Sequence, residues 1–159
     1  MKKLIIALLC FFALGVAGAE AESVVYVFMK NANNMDVRIS CDGKEICDLN
    51  GPIKKTMDGN GMFKVLYKVA HPTFRKLVFD KEGKVAITVD GDFTNAMNCK
   101  HTKMKGEIQL DLEDGETYYL DVAGKGINDI QIKIMQPKKA EKNINDKKWK
   151  ELPAVTVAQ

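Results

Sequence analysis

Residues 105–122 read K-G-E-I-Q-L-D-L-E-D-G-E-T-Y-Y-L-D-V, and the way this stretch folds decides the architecture of the chain. In its first arm Ile108, Leu110 and Leu112 alternate with Glu107, Gln109 and Asp111. Period two gives a β-strand one dry face and one wet face. In the second arm Tyr118, Leu120 and Val122 alternate with Thr117, Tyr119 and Asp121. A two-residue turn at Asp114-Gly115 would set Leu112 against Thr117 and Leu110 against Tyr119, mixing the faces. A three-residue loop, Glu113-Asp114-Gly115, sets Leu110 against Tyr118 and Ile108 against Leu120, and it places Gly115 where such loops need a left-handed residue. The stretch therefore predicts a β-hairpin in that register.

Toward the C-terminus, Ile130, Ile132 and Ile134 alternate with Gln131 and Lys133, which predicts a strand over 127–135 that Pro137 ends. Toward the N-terminus, 90–104 is polar and irregular and reads as a long connection. Strands at 73–80 and 84–90 flank Lys81-Glu82-Gly83, a second x-x-Gly loop, which would pair Phe79 with Val85 and Leu77 with Ile87. Earlier come a strand over 62–69, a loop-like stretch over 52–61 punctuated by Gly59-Asn60-Gly61, and a hairpin of 37–41 with 44–49 about Asp42-Gly43. The strand over 23–29 is apolar on both faces, Val25, Val27 and Met29 on one and Val24, Tyr26 and Phe28 on the other, so it needs cover on both. Asn31, Asn33 and Asn34 mark the loop after it. Many short strands without a long helical period predict an all-β fold, an antiparallel β-sandwich of about 7–9 short strands, over residues 20–136.

Residues 137–159 form a charged C-terminal tail that nevertheless holds Ile144, Trp149, Leu152, Val155 and Val157. A disordered segment is not expected to carry the single tryptophan of the chain. The tail, in part as a short helix, is expected to fold back and bury Trp149 on the uncovered face of the first strand. The competing expectation is a mobile tail that orders on a partner.

Lys2 and Lys3, the apolar run 4–16 and the small residues Ala17-Gly18-Ala19 make a secretory signal peptide over 1–19, cleaved after Ala19. Cys10 lies inside the apolar run behind Leu9, which argues against lipidation. Export places the protein in the periplasm or outside the cell, with no transmembrane segment after cleavage. The chain has 24 basic and 21 acidic residues, and removing Lys2 and Lys3 leaves 22 against 21, so no nucleic-acid surface is expected.

Three cysteines then remain, Cys41, Cys47 and Cys99. In a regular hairpin Cys41 and Cys47 fall on opposite faces or sit diagonally roughly 7–8 Å apart, too far for a bridge unless a bulge intervenes. A long-range bond to Cys99 and three reduced thiols both stay open.

Val25-Tyr26-Val27, the Asp42-Gly43-Lys44-Glu45-Ile46 hairpin and Leu112 to Leu120 (L-x-x-G-x-T-Y-Y-L) occur in that order. In these the chain resembles an uncharacterised family of exported bacterial proteins, domain of unknown function 2846. The resemblance implies a small transthyretin-like or carboxypeptidase-regulatory-like sandwich, and it implies no activity. It covers the ends of the domain and not the middle, where only Lys100-His101-Thr102 echoes the family's Pro-Gly-x-His segment.

Candidate chemistry is sparse. His101 lies two residues after Cys99, but a zinc site needs three or four ligands at suitable spacing, and no C-x-x-C or H-x-x-x-H occurs. His71 reads as a loop histidine. Asp90-Gly91-Asp92 with Thr94, Asn95 and Asn98 offers oxygen ligands without the spacing of a calcium loop. A Cys99–His101 nucleophile pair would need mutual contact and an orienting third group. No catalytic, cofactor-binding or metal-ligating residue is therefore assigned and no cofactor is expected. The expected function is a non-catalytic exported binding or interaction module in the bacterial envelope, with another envelope protein as partner. The alternatives are an assembly accessory pairing through a sheet edge and a small hydrolase.

Overall fold

A computed structural model describes residues 22–58, 66–95, 97–125 and 128–158. The signal-peptide expectation for 1–19, Gly59-Asn60-Gly61 and the first part of the 62–69 strand lie outside the described residues. Among the described residues eleven strands and one helix follow in the order β1 (Ser23–Met29), β2 (Met35–Cys41), β3 (Lys44–Asp48), β4 (Ile53–Asp58), β5 (Leu66–Ala70), β6 (Thr73–Phe79), β7 (Gly83–Thr94), β8 (His101–Leu112), β9 (Thr117–Lys125), β10 (Asp129–Ile134), α1 (Pro137–Ile144) and β11 (Lys150–Val157). Nine strands make one sheet in the order β11-β6-β1-β9-β10-β8-β7-β2-β3, and β4 and β5 pair as a separate ribbon.

The protein is mostly β, as expected, but the sheet is mixed. β1 lies parallel to β9 and β6 parallel to β11. Its two edge strands, β11 and β3, approach each other, so the sheet curls nearly into a barrel. This differs from the expected antiparallel sandwich, because alternation fixes which face is dry and leaves the choice of neighbouring strand open.

The clearest correction is in residues 105–122. β8 and β9 do not pair with each other, since β10 lies between them. Gly115 does adopt the expected left-handed backbone, φ +75°, in a turn closed by the Glu116 N–H on the Glu113 carbonyl at 3.1 Å. Beyond the turn Tyr118 stitches the two arms together. Its hydroxyl donates to the Asp111 carbonyl at 2.8 Å and accepts the Glu113 N–H at 3.0 Å. This is the arrangement of a tyrosine corner, which carries the chain across the barrel instead of back along the same strand. β9 therefore lies beside β1, with Tyr118 opposite Val25 and Leu120 opposite Val27.

The hairpin expected about Lys81-Glu82-Gly83 is corrected in the same way. β6 pairs with β1 and β11, while β7 pairs with β2 and β8, so Val85 faces Leu110 instead of Phe79. The stretch 90–104 is no irregular connection. β7 runs on to Thr94 and β8 starts at His101, in continuous register from Gly83↔Leu112 to Thr94↔His101. Its polar character is that of a solvated face. Gly106 lets β10 close on β8, because a side chain there would overlap the Ile130 carbonyl. The hairpin of β2 with β3 forms as expected, with Asp42 at φ +48° and Gly43 at φ +81°. A bulge after Ile39 brings Cys47 opposite Ile39, so Cys41 and Cys47 both adjoin the interior. No disulfide joins them to each other or to Cys99.

Val25, Val27, Leu77, Phe79, Ile87, Leu112, Leu120 and Val122 fill the barrel interior. A second, aromatic cluster sits on the outer face of β1, β6 and β9, where Phe28, Phe74, Met135 and Ala140 are buried. Pro137 starts α1 at a position where its missing N–H costs nothing. The helix lays Ala140 on this patch, and Trp149 meets Phe28 edge-on at 5.5 Å between ring centroids. The chain then adds β11 beside β6, an element not foreseen from the composition of the tail.

The gap between the two sheet edges is spanned by a side chain. Arg75, buried in β6, donates to the Pro153 carbonyl of β11 at 2.8 Å and to Asp48 of β3 at 3.1 Å. Burial pushes the nearby Cys47 thiol up to about 11, against the pull of the Arg75 charge.

Candidate binding site at the barrel mouth

Four connections meet at one end of the barrel: β1 to β2, β3 to β4, the β4–β5 ribbon, and β7 to β8. Asparagines fix them, because a carboxamide oxygen can accept the N–H that a loop leaves without a ladder partner. Asn34 sits at φ +50°, a backbone conformation that asparagine tolerates. Its N–H donates to the Lys68 carbonyl at 3.2 Å, and its Oδ1 accepts the Lys68 N–H. Asn34 thus pairs with β5 as a neighbouring strand would. Asn33 Oδ1 accepts the Ala70 N–H at 2.9 Å, and the Asn34 carbonyl accepts the Thr94 N–H at 2.8 Å. The β1–β2 loop is in this way tied both to the ribbon and to the end of β7.

The other two connections use the same device. Asn50 Oδ1 accepts the Val37 N–H at 2.9 Å. Asn95 Oδ1 accepts the Met97 N–H at 2.9 Å, while its backbone carbonyl accepts the Cys99 N–H at 2.8 Å. Asn98 Oδ1 accepts the Lys100 N–H at 3.0 Å, and Cys99 is held at φ +55°.

These loops enclose a cavity of about 220 Å³. Asn34, Asn50 and Asn95 line it, together with Asp36, Lys68, Thr94, Cys99 and the apolar Ala32, Met35, Ile53 and Ala70. One carboxylate and one ammonium group balance the formal charge of the wall. Ile53 is half exposed in that wall, at 51 %. At about 220 Å³ the cavity has room for one small molecule.

The residues singled out in the sequence are only partly brought together. Cys99 lines the cavity and His101 does not. His101 instead sets its Nδ1 3.0 Å from Asp92, which also accepts from Lys103. Those bonds, first from Lys103 and then from His101, hold the Asp92 carboxyl below its ordinary value. Asp92 occupies the place of an orienting group for His101, yet no hydrogen bond joins His101 to Cys99 among the described residues. Asp90-Gly91-Asp92 is strand, not loop, with Gly91 facing inward between its two outward-facing neighbours. Among the described residues no three His, Cys, Asp or Glu side chains cluster as metal ligands would. His71 lies half-buried where its N–H meets the Pro52 carbonyl at 3.2 Å. The asparagines of the cavity were missed as site residues. Asn33 and Asn34 read only as a loop signal, and Asn95 only as a possible oxygen ligand.

No family model matches the chain, and no curated protein or solved structure matches it significantly. No helix among the described residues is long and apolar enough to cross a membrane.

Proposed function

We propose that this protein is a non-catalytic exported binding module of the bacterial envelope, and that the cavity at the barrel mouth is where it binds. The observation that carries the reading is that concave volume, walled by four separate segments and fixed by asparagines of three of them before any ligand arrives. Preformed concave sites with a few placed polar groups are what small-ligand binding requires. The signal-like segment 1–19 and the resemblance to domain of unknown function 2846 support the exported setting, in the periplasm or outside the cell, with another envelope protein as a partner.

Screening the purified protein by two-dimensional amide NMR against a small-molecule library tests the reading. The expected result is a set of compounds whose shifts centre on Asn34, Asn50, Lys68 and Asn95. Shifts centred elsewhere, or turnover of generic ester, peptide or glycoside substrates, would replace it. Turnover would favour the small-hydrolase alternative, for which the Asp92–His101 contact at 3.0 Å is the supporting observation. The alternative of pairing through a sheet edge has less to draw on. The edges of the large sheet, β11 and β3, approach each other and are spanned by Arg75, which narrows the room for an added strand there.

A further inference from the structure

The chemistry of the cavity wall narrows the class of ligand, given the binding reading above. Three of its side chains are asparagines, and each spends its carbonyl oxygen on a backbone N–H: Asn34 on Lys68, Asn50 on Val37 and Asn95 on Met97. A backbone N–H can only donate, so these bonds settle which end of each carboxamide faces the protein. These bonds leave the NH2 end of each carboxamide turned away from the backbone it caps, and all three residues line the cavity. A wall with three fixed amide donors selects a ligand rich in oxygen acceptors.

Charge separates the acceptor-rich ligands. Lys68 alone would favour an anion, but Asp36 lines the same cavity. An anionic ligand would meet that carboxylate, whereas a hydroxyl can donate to Asp36 and accept from an amide at once. Ala32, Met35 and Ile53 add apolar surface against which the C–H face of a ring can lie. The volume of about 220 Å³ is enough for one ring of that kind.

We infer that the cavity binds a neutral polyhydroxylated molecule of about monosaccharide size, held by the NH2 groups of Asn34, Asn50 and Asn95 with Asp36 as hydroxyl acceptor.

The test follows the side-chain NH2 resonances of the full chain while D-glucose, D-mannose or N-acetylglucosamine is added. Citrate and succinate are added in parallel, each series at low and high sodium chloride. At least one sugar is expected to shift the Asn34, Asn50 and Asn95 NH2 signals saturably, with an affinity that salt leaves unchanged. Asn50→Asp and Asn95→Asp keep the oxygen that caps the backbone and lose the donor. Each should weaken sugar binding about two- to tenfold while the dispersed spectrum of the folded protein is retained. If the carboxylates shift these signals in a salt-dependent way and the sugars do not, the cavity binds but the polyhydroxyl assignment is wrong. If neither set shifts them, the assignment and the binding reading fall together.

Discussion

The barrel interior and the patch beneath α1 are both apolar, but they are built on different plans. The interior is mainly aliphatic and draws on strands all round the sheet. The outer patch is aromatic: Tyr26 stacks on Tyr119 at 5.6 Å, Phe28 on Phe74 at 5.3 Å, and Trp149 closes over Phe28. Its lid is one short segment, α1 and the turn to β11. Many strands share the interior, so losing one side chain there leaves a void with partners on every side. The patch depends on a single cover, so losing the cover exposes it to water. The difference teaches that the C-terminal segment is structural, since it covers a face of β1 that the barrel itself cannot bury.

Phe79→Ala should show the largest effect, about 3–5 kcal/mol in chemical denaturation, because Phe79 is fully buried in the interior. Trp149→Ala should cost less, about 2 kcal/mol, since the indole is only half-buried and part of its contribution is one edge-to-face contact. Hydrogen exchange distinguishes the two. The Phe79 variant should lose protection throughout the sheet, and the Trp149 variant first in α1 and β11. Equal losses in both regions would erase the distinction between the two clusters.

Tyr118→Phe tests the corner between β8 and β9. It removes a hydroxyl that bonds both Asp111 and Glu113 while leaving the ring in place, so about 1 kcal/mol is expected. No loss at all in denaturant titration would mean that the corner is held by Gly115 and burial alone.

The smallest expected effect is a pH dependence at Asp92. Lys103 and His101 hold its carboxyl below the ordinary value, so on acidification the unfolded chain takes up the proton first. Asp92 therefore adds stability above the unfolded carboxyl pKa of about 3.9, and the contribution is lost as pH falls through the lower folded value. The melting temperatures of the native protein and Asp92→Asn should converge as pH drops below about 4. A difference independent of pH would place the effect of the substitution elsewhere.

Much of the barrel was legible because alternation is a local property. Leu110, Leu112, Leu120 and Val122 face the interior as their spacing says, and the turns at Asp42-Gly43 and Gly115 have the expected backbone. Strand order was not legible in the same way, because apolar faces match in several registers. Leu112-Glu113-Asp114-Gly115-Glu116-Thr117-Tyr118 holds the tyrosine that makes the corner, three residues after the glycine, but the matching apolar faces point to a hairpin instead. The second face of β1 was informative, since Tyr26 and Phe28 had to be covered and the only aromatic left in the tail is Trp149. The cavity was illegible because its polar groups come from four distant connections. An asparagine that bridges Asn34 to Lys68 looks, in sequence, like any loop residue.

Trp149 is the one indole of the chain, so intrinsic fluorescence reads the docking of the C-terminal segment directly. β11 is hydrogen-bonded to β6, and Arg75 links it across to β3, so the segment belongs to the same cooperative unit as the barrel. The account predicts a native emission maximum to the blue of free indole in water, shifting red in a single transition that coincides with the loss of β circular dichroism. A water-exposed maximum in the native protein, unchanged on unfolding, would contradict it.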